Sequence, residues 1–128
     1  MLKNILLVAL GGAAGSVARY LLSKAVQGAA ASSFPWGTMA VNVAGCLLIG
    51  LFYGLSGDGG ARIGQDLKLM LTVGFCGGFT TFSTFANESL TLAKTGDALL
   101  SAVYIGSSVA LGMLAVVAGA QLAKAFAS

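Results

Sequence analysis

Residues 74–85 of the chain read Gly74-Phe75-Cys76-Gly77-Gly78-Phe79-Thr80-Thr81-Phe82-Ser83-Thr84-Phe85. This stretch lies inside an otherwise apolar segment, yet it is rich in glycine, phenylalanine and hydroxyl residues. Glycine costs about 1 kcal/mol relative to alanine in a helix interior, so the pair Gly77 and Gly78, followed by two threonines, predicts a helix that is interrupted over Gly77 to Thr80. Hydrocarbon offers no partners to the backbone groups that a break frees. We therefore expect those groups to have specific partners.

The rest of the chain has the composition of an integral membrane protein. Of its 128 residues, 57% are hydrophobic and 9% are charged. An α-helix rises about 1.5 Å per residue, so about 20 apolar residues cross a hydrocarbon core of roughly 30 Å. We predict one all-α transmembrane domain over residues 1–128, with four spans at 5–24, 36–56, 67–92 and 98–123. The first segment is interpreted as a retained helix and not a signal peptide, because another span follows it.

Positive charge is distributed almost evenly between the two sides of the membrane. With four spans, both termini share a side with the central loop. The positive residues on that side are Lys3, Arg62, Lys68 and Lys124, against Lys24 and Lys94 on the other, with Arg19 added if it reaches that interface. This bias is weak for the positive-inside rule, so insertion in both orientations is possible. The net charge of +3 requires no nucleic acid, because cations beside spans can reach lipid headgroups.

The composition argues against several kinds of chemistry. The chain has no histidine, which is the commonest general base and metal ligand. Cys46 and Cys76 fall in separate predicted spans, which favours buried apolar residues over a disulfide or a metal site. Glu88 is the only acidic residue within a predicted span, so it is either a functional residue or an interfacial residue near Lys94. We expect neither an enzyme nor an organic cofactor.

Two polar side chains and a glycine pattern distinguish the first two spans. Gly11 and Gly15 have the small-xxx-small spacing that lets helices approach closely. Arg19 either reaches the headgroups beside Tyr20 or faces a wet vestibule that attracts anions. Asn42 lies about 9 Å into the second span by the helical rise. It either hydrogen-bonds a neighbouring helix or donates into a pore, and the sequence leaves both pairs of alternatives open.

Phenylalanine and hydroxyl residues share helix faces in the third span. Phe82 and Phe85 are three residues apart, with Ser83 and Thr84 between them. An aromatic ring is negative over its face and positive at its edge, so rings presented edge-on would stabilise an anion. Packing is the usual role of such a stripe. A broken helix also offers carbonyl oxygens suited to an alkali cation and a helix N-terminus suited to an anion.

Three blocks of the sequence resemble the CrcB/Fluc family of microbial fluoride channels, in the family's order and spacing. They are Gly11-Gly12-Ala13-Ala14-Gly15-Ser16-Val17-Ala18-Arg19-Tyr20, Phe34-Pro35-Trp36-Gly37-Thr38 with Val41-Asn42-Val43-Ala44-Gly45, and the 74–85 stretch. The resemblance covers essentially the whole chain. It implies an antiparallel, dual-topology homodimer in the cell inner membrane, with the third helix broken at mid-membrane and two fluoride pores along the interface.

The resemblance also implies roles for individual residues. Phe82 and Phe85 match the family's phenylalanine box, Asn42 its pore asparagine, and Arg19 its vestibule arginine. The positions that match its polar track are Ser83, Thr84, Tyr104 and Ser108.

The carbonyl groups of Gly77 and Thr80 match those that hold a structural sodium ion at the dimer axis. Gly112 departs from the pattern, because some relatives carry a serine there, one turn beyond the serine matched by Ser108.

The function that the resemblance implies is passive export of fluoride, which gives fluoride resistance without energy coupling. Fluoride enters cells as neutral HF and is trapped as the anion at internal pH, so a channel would let it leave. Two alternatives differ in class: a small proton-coupled multidrug exporter, which should carry a carboxylate deep in its first helix, and a structural assembly protein of the membrane.

Overall fold

The structure is a computed structural model, and it describes residues 1–30, 34–56 and 63–127. All regular structure in these ranges is helical. The elements are α1 (Leu2–Ala30), α2 (Trp36–Leu55), α3 (Gln65–Leu69), a π-helical segment (Met70–Cys76), α4 (Gly77–Phe79), α5 (Phe82–Lys94) and α6 (Ala98–Ala127). Arg62, which enters the charge comparison, lies outside the described residues.

Four helical stretches are long and apolar enough to cross a membrane, which confirms the prediction of four spans. They are Leu2–Ala30, Trp36–Leu55, Gln65–Lys94 and Ala98–Phe126. Most of the surface of these helices is apolar, with large exposed side chains such as Leu6, Leu10, Leu114 and Val117. A lipid environment accepts such a surface, whereas water does not. The chain is therefore a multi-pass membrane protein.

The helices pack in two closely associated pairs. α2 packs along α6, and α1 packs along the third span. In the second pair a methyl group at Gly15 would overlap the carbonyl oxygen of Phe75, and one at Gly11 would overlap that of Met70. These glycines therefore permit backbone contact that any larger residue would prevent, as the small-xxx-small spacing predicts.

The third span departs from a regular α-helix at two places. Seven residues, Met70–Cys76, are π-helical, a geometry that is rare and often found at functional sites. α4 then ends at Phe79, and the next two residues are extended, with φ −85° and ψ 158° at Thr80 and φ −146° and ψ 119° at Thr81. Helical structure resumes at Phe82. We call Thr80 and Thr81 the interruption.

The sequence-based prediction of an interruption over Gly77 to Thr80 is right at its end and wrong at its start, because Thr80 is extended whereas Gly77 and Gly78 are helical. Gly78 is needed for packing, since a Cβ there would lie 2.6 Å from the carbonyl oxygen of Gly12 in α1. The extended residues are instead the two threonines, whose β-branched side chains favour extended backbone. Thr81 is also the N-cap of α5, a position that threonine favours.

Candidate functional site

Asn42 of α2 binds the backbone of the interruption with both ends of its amide. Its Nδ2 donates to the carbonyl oxygen of Thr81 at 3.1 Å, and its Oδ1 accepts from the Thr81 N–H at 2.9 Å. The side chain thus pairs with one residue as a neighbouring β-strand would. The structure therefore places Asn42 in a hydrogen bond to another helical span, and its second Nδ2 hydrogen is not used by these two bonds.

Other backbone groups around the interruption also have identified partners. The Cys76 carbonyl accepts from both the N–H and the hydroxyl of Thr80, each at 3.0 Å. The Gly78 carbonyl accepts from Nε of Arg19 at 3.2 Å. At the start of α5, the Thr81 hydroxyl accepts from the N–H of Thr84 at 3.3 Å. These bonds supply the partners that lipid cannot provide.

Arg19 therefore has a third placement that the sequence did not suggest. Its guanidinium binds the carboxyl-terminal turn of α4, where the helix dipole favours a cation. The side chain is partly exposed, and among the described residues only its Nε is hydrogen-bonded, which leaves the Nη donors for a further ligand. Arg19 joins α1 to the third span one turn before α5 begins.

Two carbonyl oxygens remain available near the interruption. Within the described ranges, neither the Gly77 nor the Thr80 carbonyl accepts a hydrogen bond from another residue. Both residues line a groove of about 390 Å³, together with Asn42, Cys46 and Phe82. Free carbonyl oxygens are suitable ligands for a dehydrated alkali cation, so these two residues fit part of a sodium coordination shell.

The two predicted phenylalanines lie in different environments. Phe82 is 80% exposed at the edge of the groove, whereas Phe85 is partly buried. Their ring centroids are 6.0 Å apart, and Phe85 is 5.1 Å from the ring of Tyr104. Tyr104 is fully buried, and its hydroxyl donates to Oε1 of Glu88 at 3.3 Å. The aromatic rings thus link the groove to the carboxylate.

The serine and threonine residues of the predicted polar track divide into two kinds. Ser83 and Thr84 are exposed in the single chain. Ser108 has a buried Oγ without a hydrogen-bond partner among the described residues. Its neighbour Ser107 instead donates to the Val103 carbonyl at 2.6 Å. Serine in membrane helices usually makes this i−4 bond, and an unpartnered buried hydroxyl is costly unless a ligand uses it.

Gly112, the departure from the family pattern, packs against α2. A Cβ there would lie 3.3 Å from Sγ of Cys46. The thiol of Cys46 thus fills space that a larger side chain at 112 would need.

The structure brings most of the predicted residues into one connected region. Asn42, Gly77, Thr80 and Phe82 surround the groove, and Phe85 leads from it to Tyr104 and Glu88. Thr81 is a residue of this region that the sequence did not identify. It was detectable as a threonine before a helical start.

The fold and site define a four-span membrane protein with a polar, aromatic-lined region inside its third span. The family model described as CrcB-like protein, Camphor Resistance (CrcB), matches residues 6–120. The chain belongs to the CrcB family.

Relatives match over nearly their whole length. A protein of Phocaeicola vulgatus is 50% identical over 123 residues, which cover 96% of this chain and 100% of that protein. One of Bacteroides fragilis is 49% identical over 98% of this chain and 99% of its own. A protein of Rhizobium johnstonii is 46% identical over 95% of this chain and 97% of that protein. Each is named a fluoride-specific ion channel FluC.

The Asn42 contact predicts local loosening when the amide is removed. In Asn42→Leu, the N–H and carbonyl of Thr81 lose their partners, which should destabilise the interruption by about 1 to 3 kcal/mol. Hydrogen–deuterium exchange of the protein in detergent should show faster exchange at residues 80–84. The matched control is Asn87→Leu, on the exposed surface of α5. Unchanged exchange at 80–84 in Asn42→Leu would contradict the structural role of this contact.

Proposed function

We propose that the chain forms a fluoride-selective channel that lets cytoplasmic fluoride leave by passive electrodiffusion. The observation that carries the proposal is the site around the interruption, where exposed Phe82 and the Asn42 amide border one groove. Relatives of nearly half identity or more, matched along almost their full length, are named fluoride-specific ion channels. Their names support the choice of fluoride over other small anions.

The chemistry of fluoride agrees with the groups along this region. A pore must replace the water of a small, strongly hydrated anion with closely placed donors. The unused Nδ2 hydrogen of Asn42, the unpartnered hydroxyl of Ser108 and the positive edges of Phe82 and Phe85 are such donors. The start of α5 adds the positive end of a helix dipole. Each group offers partial positive charge without a fixed cation that would trap the ion.

The channel is proposed to be an antiparallel homodimer of dual topology. Phe82 is 80% exposed in one chain, and the groove beside it is open. A second copy would cover this surface and complete the path. The nearly even charge distribution permits insertion in both orientations. We place the dimer in the cell inner membrane, with the interruption of the third helix at mid-membrane.

A sodium ion on the dimer axis is proposed as the structural cofactor. The Gly77 and Thr80 carbonyls of one chain would supply two ligands, and the second copy would supply two more. A cation there would offset the negative ends of the carbonyl dipoles in the membrane interior. It would also stabilise the backbone that holds Phe82 beside the path.

The proposed mechanism is conduction, with no covalent step and no proton coupling. The first span, Leu2–Ala30, contains no aspartate or glutamate, although a proton-coupled exporter of this size should carry a carboxylate there. Glu88 is bonded to Tyr104 near the end of the path. We assign it a role in orienting that hydroxyl and not in proton transfer.

Fluoride release from liposomes tests this function. Vesicles that contain purified protein and fluoride should release the anion, as a fluoride electrode records, without a proton gradient. Phe82→Ile should reduce release to the level of empty vesicles, because it removes the positive ring edge. Phe126→Ile, at an exposed position near the end of α6, is the matched control. Release that needs a proton gradient, or equal release by both variants, would contradict the proposal.

The two neighbouring serines of α6 provide a second test. Ser108→Ala should lower fluoride release by about tenfold, since it removes a hydroxyl that has no hydrogen-bond partner among the described residues. Ser107→Ala should leave release nearly unchanged, because that hydroxyl is already bonded to Val103. The rates of the two variants are compared at equal protein-to-lipid ratio. The role of Ser108 is excluded if both variants release fluoride at the rate of the unmodified protein.

A further inference from the structure

Tyr104 is the most enclosed aromatic side chain at the end of the proposed path. Its side chain has 0% exposure and contacts two other rings. Phe85 lies on one side at 5.1 Å, and Phe34 lies on the other at 5.4 Å with an interplanar angle of 85°. Edge-to-face contacts of this kind are directional. The plane of the Tyr104 ring, and hence the direction of its hydroxyl, depends on both neighbours.

Phe34 differs from the other rings because it lies outside any helix. It precedes Pro35 and the start of α2, yet it is only 8% exposed. Its ring also contacts Trp36 at 4.5 Å. Five aromatic rings therefore form a continuous series from the start of α2 to the groove, namely Trp36, Phe34, Tyr104, Phe85 and Phe82.

The backbone at Phe34 is held in place by Gln27 of α1. Nε2 of Gln27 donates to the Phe34 carbonyl at 3.2 Å, and its Oε1 accepts from the Gly37 N–H at 3.0 Å. The Phe34 carbonyl also accepts from the N–H of Trp36 at 2.8 Å. One amide thus bridges residue 34 and the first turn of α2. It supplies a partner that Pro35, the N-cap residue, does not provide.

We propose that Gln27 and Phe34 are positioning residues for the anion path. Gln27 fixes the backbone of Phe34, and Phe34 fixes the Tyr104 ring, which in turn packs against Phe85. The inference rests on the proposed function for its effect on flux, whereas its effect on Tyr104 is independent of conduction. Neither residue has to touch the ion. Their role is to keep a hydroxyl and a ring edge at constant orientation beside the path.

The first experiment measures fluoride release from liposomes. Phe34→Leu should lower release by about tenfold through loss of the edge-to-face contact. Phe34→Tyr, which keeps the ring, should restore most of it. Phe52→Leu, in α2 and partly buried, is the matched control and should release fluoride normally. Gln27→Met tests the same chain of contacts without removing a buried ring, and it should lower release in the same direction.

The second experiment observes Tyr104 directly. The chain has three tyrosines, so 3-fluorotyrosine in a Tyr20→Phe, Tyr53→Phe background reports Tyr104 alone by fluorine NMR. Phe34→Leu and Gln27→Met should each shift this resonance, and Phe52→Leu should not. An unmoved resonance in both test variants overturns the positioning role. A shifted resonance with normal flux overturns its link to the path.

If the unmodified protein releases no fluoride, the proposed function fails. In that case the resonance alone decides whether Gln27 and Phe34 position Tyr104.

Discussion

The structure depends on the pairing between the Asn42 amide and the backbone of Thr81. Two successive extended residues inside an apolar helix leave donors and acceptors that lipid cannot satisfy, and each would cost several kcal/mol. A single amide provides the donor for the carbonyl and the acceptor for the N–H of one residue, Thr81. The contact joins α2 to the third span, so it also fixes the position along α2 at which α5 begins. Phe82 is the first residue of α5, so its position follows from this contact.

The remaining features near Thr81 bring α1 against the same segment. Gly11 and Gly15 allow backbone contact with the π-helical segment and α4. Arg19 binds the Gly78 carbonyl, close to the end of α4. Among the described residues, neither the Gly77 nor the Thr80 carbonyl accepts a hydrogen bond from α1 or α2. Both residues border the groove that α2 also lines, where we propose that a second copy and a sodium ion bind.

The spans were predictable from sequence because hydropathy over about 20 residues is a strong, local signal. The interruption was predictable only as a range, Gly77 to Thr80, and not to the residue. Glycine suggested flexibility at Gly77 and Gly78, but tertiary packing against α1 uses Gly78 for close contact, and the two threonines carry the extended backbone instead. Local helix propensity is a weak guide where close packing against a neighbouring helix determines which residue is glycine.

The site shows the same limit at individual side chains. Asn42 and Phe82 were identifiable as unusual residues in a span. Whether Asn42 hydrogen-bonds a neighbouring helix or donates into a pore depends on which groups lie opposite it. The family resemblance singles out Ser108 over Ser107, but only the structure shows that the Ser107 hydroxyl is bonded and that of Ser108 has no partner among the described residues. Phe34 lies outside the helices, so helical periodicity contains no information about its contact with Tyr104.

The central claim is that fluoride crosses the protein as a free anion, driven only by its electrochemical gradient. The most direct test is the reversal potential across a planar bilayer that contains the purified protein. We predict a shift of about 59 mV for each tenfold change in the fluoride ratio, the value for one unit of charge, with no dependence on the pH gradient. A reversal potential that follows pH or chloride, or the absence of any current, would contradict the account.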